Sequence, residues 1–158
     1  MSIASAEEGR AGAKRKAASR SPSSGNGGAT DRRGTEPDGL AGKRVLVVED
    51  EMLLALDLEE GLRRAGSDVV GPAGSLRQAL ELAETEMVDA AILDVNLGGE
   101  AVFPLAHLLG QRGIPYLFAT AYSGMDEIYP PDVRSVPRLS KPYTIQQALG
   151  TLRQIVGA

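Results

Sequence analysis

Large apolar side chains are almost missing from the first 42 positions, where only Met1, Ile3 and Leu40 occur, and then recur at regular spacing to the end of the chain. Residues 45–48 (VLVV) form a short, continuous, Val-rich run, the pattern of a strand buried on both faces of a parallel sheet. A helical period follows: Leu54, Ala55, Leu58, Leu62 and Ala65 fall within about 100° of one another on a 3.6-residue wheel. Asp57, Glu60 and Arg64 lie opposite, and Gly66 is placed to stop the helix. The alternation then repeats. Residues 68–71 (DVVG) predict a second strand, and Ser75 caps a helix with the stripe Leu76, Ala79, Leu80 and Ala83. Residues 90–93 (AAIL) are a third apolar run, ending in Asp94, with a turn at Gly98-Gly99. A third helix carries Val102, Leu105, Ala106 and Leu109, with Pro104 early in it, where proline is best tolerated, and Gly113 at its end. Residues 116–119 (YLFA) predict the fourth strand and 136–139 the fifth, with Pro137 placing the latter near a sheet edge. Between them, Gly124, Pro130 and Pro131 argue against a full helix over 122–134. A last helix has Ile145, Ala148, Leu149, Leu152 and Val156 on one face.

Strands alternating with helices predict an α/β fold: a doubly wound, five-stranded parallel sheet with right-handed crossovers and a degraded or absent fourth helix. Residues 43–158 are expected to form this domain. Residues 1–42 are Ser-, Gly-, Ala- and charge-rich. Such a segment cannot bury enough apolar surface to offset the roughly 1–2 kcal/mol per residue that ordering a backbone costs, so a disordered tail is expected. Its Lys14-Arg15-Lys16 run reads as part of a solvated linker.

Charge divides at the same place. The tail has 7 Lys/Arg and 5 Asp/Glu, the remainder 10 and 16. The acidic domain does not have the footprint of a nucleic-acid binder. Cysteine is absent, which excludes disulfides and thiolate metal sites. No apolar run reaches membrane-spanning length and the N-terminus lacks a signal peptide's apolar stretch, so a cytoplasmic protein is expected.

Ligands of open parallel sheets bind beyond the carboxyl ends of the strands. The first strand delivers Glu49 and Asp50 to that end, the third Asp94, the fourth Thr120 and the fifth Lys141. A flavodoxin-like order 2-1-3-4-5 would bring all five into one cleft. Clustered carboxylates favour a divalent cation, and hard oxygen ligands with open positions suit Mg²⁺. A carboxylate can also act as nucleophile and form an aspartyl-phosphate. Phosphoryl transfer then needs positioning and charge neutralisation, which the cation, the Lys141 ammonium and the Thr120 hydroxyl could supply. Ala121 is small enough for the backbone to approach closely. Glu51 reads as a helix N-terminal acid that complements the dipole, and His107, beyond the edge of its helix's stripe, is assigned no role.

The segments VLVVEDE (45–51), ILDVNL (92–97), FATAY (118–122) and SKPY (140–143) together resemble the response-regulator receiver family of two-component systems. The resemblance spans about residues 43–157. It implies that Asp94 is the phosphoacceptor. Glu49 and Asp50 then serve Mg²⁺ with Asp94 and the backbone carbonyl of Asn96, and Thr120 and Lys141 face the phosphoryl group. FATAY and GGEAVFPLA (98–106) are similar to a single-domain subgroup nicknamed for a Phe-Ala-Thr-Gly-Tyr-like motif, with Ala121 in the glycine's place. Arg138 stands where the family usually has its switch aromatic, three residues before the lysine. Tyr122 is then either a packed loop aromatic or the aromatic that moves in its stead. Gly98 replaces a common proline, which is expected to loosen that loop.

The function expected is that of a stand-alone response regulator. It would be phosphorylated by a sensor histidine kinase or a histidine phosphotransfer protein. It would act through phosphorylation-dependent binding of a protein partner, or as a phosphate sink, as a monomer or weak dimer. Two alternatives differ in class. One is a receiver-like module that binds without phosphorylation. The other is an aspartyl-phosphate phosphatase, which would need a catalytic acid where Asn96 stands. Beyond slow loss of its own phosphoryl group, no enzymatic activity is expected.

Overall fold

The computed structural model of the chain describes residues 38–157. Through residue 37 the expected tail, with its basic run, lies outside the described residues. Five strands form one parallel sheet: β1 (Arg44–Val48), β2 (Asp68–Ala73), β3 (Ala90–Asp94), β4 (Tyr116–Thr120) and β5 (Arg138–Ser140), in the order β2-β1-β3-β4-β5. This is the expected doubly wound sheet. Four helices cover it: α1 (Met52–Arg64), α2 (Leu76–Thr85), α3 (Phe103–Gln111) and α4 (Ile145–Gly157).

The central strands β1, β3 and β4 are largely apolar because both their faces are covered. Val45, Val47, Ile92, Leu117 and Ala119 point to one side, against Leu58 and Leu62 of α1 and Ala148, Leu149 and Leu152 of α4. Leu46, Val48, Leu93 and Phe118 point to the other, against Ala79 and Ala83 of α2 and Leu105, Ala106 and Leu109 of α3. Two helix starts are written locally. Ser75 Oγ accepts from the Gln78 N–H, and Gln78 Oε1 accepts in turn from the Gly74 N–H. Before α4, Thr144 and Gln147 bond each other directly: Thr144 Oγ1 accepts from the Gln147 N–H and Gln147 Oε1 from the Thr144 N–H, a reciprocal capping box.

Several elements differ from expectation. The fifth strand starts two residues later than the apolar run suggests. The Val136 N–H is spent on the Val133 carbonyl, and Pro137 has no N–H, offering only its carbonyl to Phe118. A small antiparallel hairpin, Asn96–Leu97 with Glu100–Ala101, flanks the Gly98-Gly99 turn. In place of a fourth sheet-covering helix between β4 and β5 stand two short 3-10 turns, Asp126–Ile128 and Pro131–Val133. Ordered packing also begins ahead of residue 43: Leu40 is fully buried among the α1 and α4 side chains, and Asp38 makes a two-pronged ion pair with Arg153 of α4.

Candidate functional site

The carboxyl ends of β1, β3, β4 and β5 meet at one edge of the sheet. Glu49 continues the β1 ladder, its N–H donating to the Ala73 carbonyl at 2.9 Å, and Lys141 continues β5, its N–H donating to the Thr120 carbonyl at 2.9 Å. Backbone pairing thus fixes both residues before their side chains interact. One carboxylate oxygen from each of Glu49, Asp50 and Asp94 can lie within 4.8 Å of the others. Glu49 and Asp94 are buried, whereas Asp50 is exposed at the mouth.

Lys141 Nζ stands among these acids, 2.9 Å from Glu49 Oε1 and 3.1 Å from Asp94 Oδ2. Burial by itself would lower the lysine's pKa. The hydrogen bonds and charges of Glu49 and Asp94 outweigh it and hold the ammonium above its ordinary range. Burial pushes the Glu49 carboxyl up to about 7, against the Glu51 N–H and Lys141 bonds that favour its charged form, and the Asp94 charge adds to the rise. Backbone donors hold the remaining oxygens. The Glu51 N–H reaches Glu49 Oε2 at 2.9 Å and the Asn96 N–H reaches Asp94 Oδ1 at 3.2 Å.

Asp50 Oδ2 accepts from the Gly98 N–H at 3.0 Å, a bond no proline could make. Gly98 therefore ties its loop to the site.

The structure brings together Glu49, Asp50, Asp94, Lys141 and the Asn96 backbone. Thr120 is buried at the end of β4, its Oγ1 accepting from the Tyr122 N–H at 2.9 Å, and Ala121 is exposed beside it. The Tyr122 side chain is exposed rather than packed. Glu51 is more than a helix-dipole acid: its Oε1 lies 3.5 Å from Lys141 Nζ. Two further features were not legible as site residues. The Tyr143 hydroxyl is buried without a hydrogen-bond partner, and burial, then the charge of Glu49, holds its pKa above the ordinary tyrosine range. Tyr129 is buried beneath Arg138, whose guanidinium carbon lies 3.8 Å from the ring centroid. Tyr143 closes the SKPY segment, but its buried hydroxyl, like the burial of Tyr129 under Arg138, becomes visible only in the tertiary packing. His107 Nε2 reaches Asp132 Oδ2 at 2.9 Å, joining α3 to the second 3-10 turn away from the site.

Three acidic side chains against one ammonium leave an excess of hard oxygen donors, a donor set that fits Mg²⁺. The arrangement can hold a divalent cation beside a carboxylate whose other side faces a fixed ammonium.

Comparison with known proteins agrees with this geometry. The family model described as the response regulator receiver domain matches residues 45–149. The transcriptional regulatory protein PdtaR of Mycobacterium tuberculosis is 32% identical over 124 residues, covering 77% of this chain and 60% of that protein. The chain therefore spans less than two thirds of that relative's length. Among solved structures, SdrG from Sphingomonas melonis Fr1 is 37% identical with a TM-score of 0.62, covering 76% of this chain and 98% of that one. The receiver domain of the PhyR response regulator of Erythrobacter litoralis is 28% identical with a TM-score of 0.65, covering 74% and 92%.

Proposed function

The chain belongs to the response regulator receiver family, and on that premise we propose that Asp94 accepts a phosphoryl group from a phosphohistidine of a sensor histidine kinase or a histidine phosphotransfer protein. The observation that carries this reading is the placement of Asp94 Oδ2 3.1 Å from Lys141 Nζ, within the cluster it forms with Glu49 and Asp50. In the transfer, an Asp94 oxygen forms a bond to phosphorus as the donor's P–N bond breaks, and the imidazole leaves with the electron pair. Glu49, Asp50, Asp94 and the Asn96 carbonyl would hold Mg²⁺, which supplies charge neutralisation to the phosphoryl oxygens. Lys141, drawn from Asp94 to the phosphoryl group, neutralises a second side, and the Thr120 hydroxyl donates to a third oxygen.

Signalling then proceeds by phosphorylation-dependent binding of a protein partner, or by draining phosphoryl groups from a donor. The protein acts in the cytoplasm, as a monomer or weak dimer and without nucleic acid. Against a phosphatase, Asn96 stands two residues after Asp94, where such an enzyme would carry its catalytic acid, and an amide cannot transfer a proton. Turnover is limited to slow loss of its own phosphoryl group. A donor has an approach. Leu53, 79% exposed, lines a hollow with Glu51, Lys141 and Pro142 beside the site, giving a protein donor apolar surface next to the acceptor.

The test is intact mass after incubation with acetyl phosphate and Mg²⁺, where the donor's P–O bond is the one broken. One added phosphoryl group is expected, lost in Asp94→Asn and in EDTA. Absence of the adduct from folded wild-type protein overturns the reading. A partner that binds wild type and Asp94→Asn equally would favour the phosphorylation-independent module.

A further inference from the structure

The segment between β4 and β5 has lost its helix, yet it contains Tyr129, one of the largest fully buried side chains among the described residues. The ring packs edge-on to Phe103, with centroids 5.7 Å apart, and lies 5.4 Å from Phe118. A phenylalanine would fill the same space. What the tyrosine adds is a hydroxyl, which donates to the Tyr122 carbonyl at 3.3 Å. Arg138 of β5 covers the ring and pins the segment at three further points: the Ser123 carbonyl at 2.8 Å, Asp126 Oδ1 at 2.6 Å and the Arg134 carbonyl at 3.2 Å. Tyr122 is therefore held through its backbone while its ring stays exposed. Its N–H in turn donates to Thr120 Oγ1 at 2.9 Å. This bond fixes the oxygen of the buried Thr120 hydroxyl through a lone pair and leaves its O–H available as a donor.

We propose that Tyr129, clamped by Arg138, is a positioning residue for the Thr120 hydroxyl, acting through the Tyr122 backbone. The proposal rests on the phospho-accepting reading of Asp94. It places the link between the site and the 122–134 segment in a buried tyrosine under an arginine, not in a rotating aromatic at position 138 or in the ring of Tyr122. Any partner that grips this segment then senses the site through Thr120.

Tyr129→Phe tests the link while leaving the ring and its packing in place. The lifetime of the phosphoryl adduct, formed from acetyl phosphate and Mg²⁺ and followed by intact mass, is measured in wild type, Tyr129→Phe, Thr120→Ala and the double variant. The single variant is expected to shorten the lifetime about threefold, the weight of one long hydrogen bond, and to change nothing further in the Thr120→Ala background. Arg138→Met, which keeps length but removes the clamp, is expected to act in the same direction. An unchanged lifetime in Tyr129→Phe, or the same shortening with and without the Thr120 hydroxyl, would overturn the proposal by reducing Tyr129 to packing. A wild-type lifetime in Arg138→Met removes the arginine from it. Failure of wild type to take any phosphoryl group overturns the Asp94 reading itself, a result distinct from these.

Discussion

At the scale of single residues, the site is governed by an imbalance of charge inside a small volume. Glu49 bears most of it, because it is the carboxyl most fully removed from water, and burial raises its pKa from 4.5 to about 7. A raised folded-state pKa means that the folded protein binds this proton more tightly than the unfolded chain does. The resulting stability is complete below pH 4.5 and is lost as pH rises through about 7, at a slope of at most about 1.4 kcal/mol per pH unit. Metal-free protein is therefore expected to melt at a lower temperature near pH 8 than near pH 5, and Glu49→Gln should flatten that dependence. Mg²⁺ should raise the melting temperature more at the higher pH, since proton and cation compete for the same oxygens. Thermal scans with and without EDTA check both statements; an equal pH slope in Glu49→Gln would remove Glu49 as the cause.

At the scale of elements, packing between α1 and α4 depends on the absence of a side chain. A Cβ added at Gly61 would lie 2.4 Å from Cγ2 of Ile145, the stiff branch of a β-branched residue at the start of α4. Alanine at a helix interior ordinarily gains about 1 kcal/mol over glycine. Overpacking costs about 1–3 kcal/mol, so the clash wins. Gly61→Ala is expected to destabilise by about 1 kcal/mol. In an Ile145→Ala background, where the methyl is gone, the same change should turn stabilising. Urea midpoints of the four proteins decide it, and an unchanged sign in the second background would show that the contact is not the cause. The sequence marks Gly61 only as a glycine inside a helical pattern; its reason lies on another helix.

At the scale of the molecule, the described residues just ahead of β1, 38–43, are anchored to the core through Leu40. Besides backbone bonds, the Asp38–Arg153 pair and the buried Leu40 side chain hold them. The pair is partly exposed and such pairs contribute less than about 1 kcal/mol. Replacing a fully buried leucine by alanine costs about 2–5 kcal/mol, a large share of the 5–15 kcal/mol that typically stabilises a domain. Leu40→Ala is thus expected to lower the urea midpoint far more than Arg153→Ala, and equal shifts would contradict the ranking. Leu40 went unrecognised in sequence because it is a lone apolar residue in a polar stretch. No local period marks it, and its partners on α1 and α4 are distant in the chain.

The sequence by itself determined the four helices, the first four strands of the sheet and which residues stand at the strand ends. Runs such as VLVV and AAIL are buried on both faces, so their pattern needs no partner to be read, and Glu49, Asp94 and Thr120 each follow directly from such a run, with Asp50 one residue further on. The caps at Ser75 and Thr144 involve residues three or four apart, which the backbone brings together unaided. Tertiary structure alone decided the rest. It set the late start of β5, the contact of Glu51 with Lys141, the bond from Gly98 to Asp50, and the clamp of Arg138 on Tyr129. Each of these joins groups whose proximity depends on how separate elements dock. A pattern along one chain records which faces must be buried, but not which side chains will meet when they are.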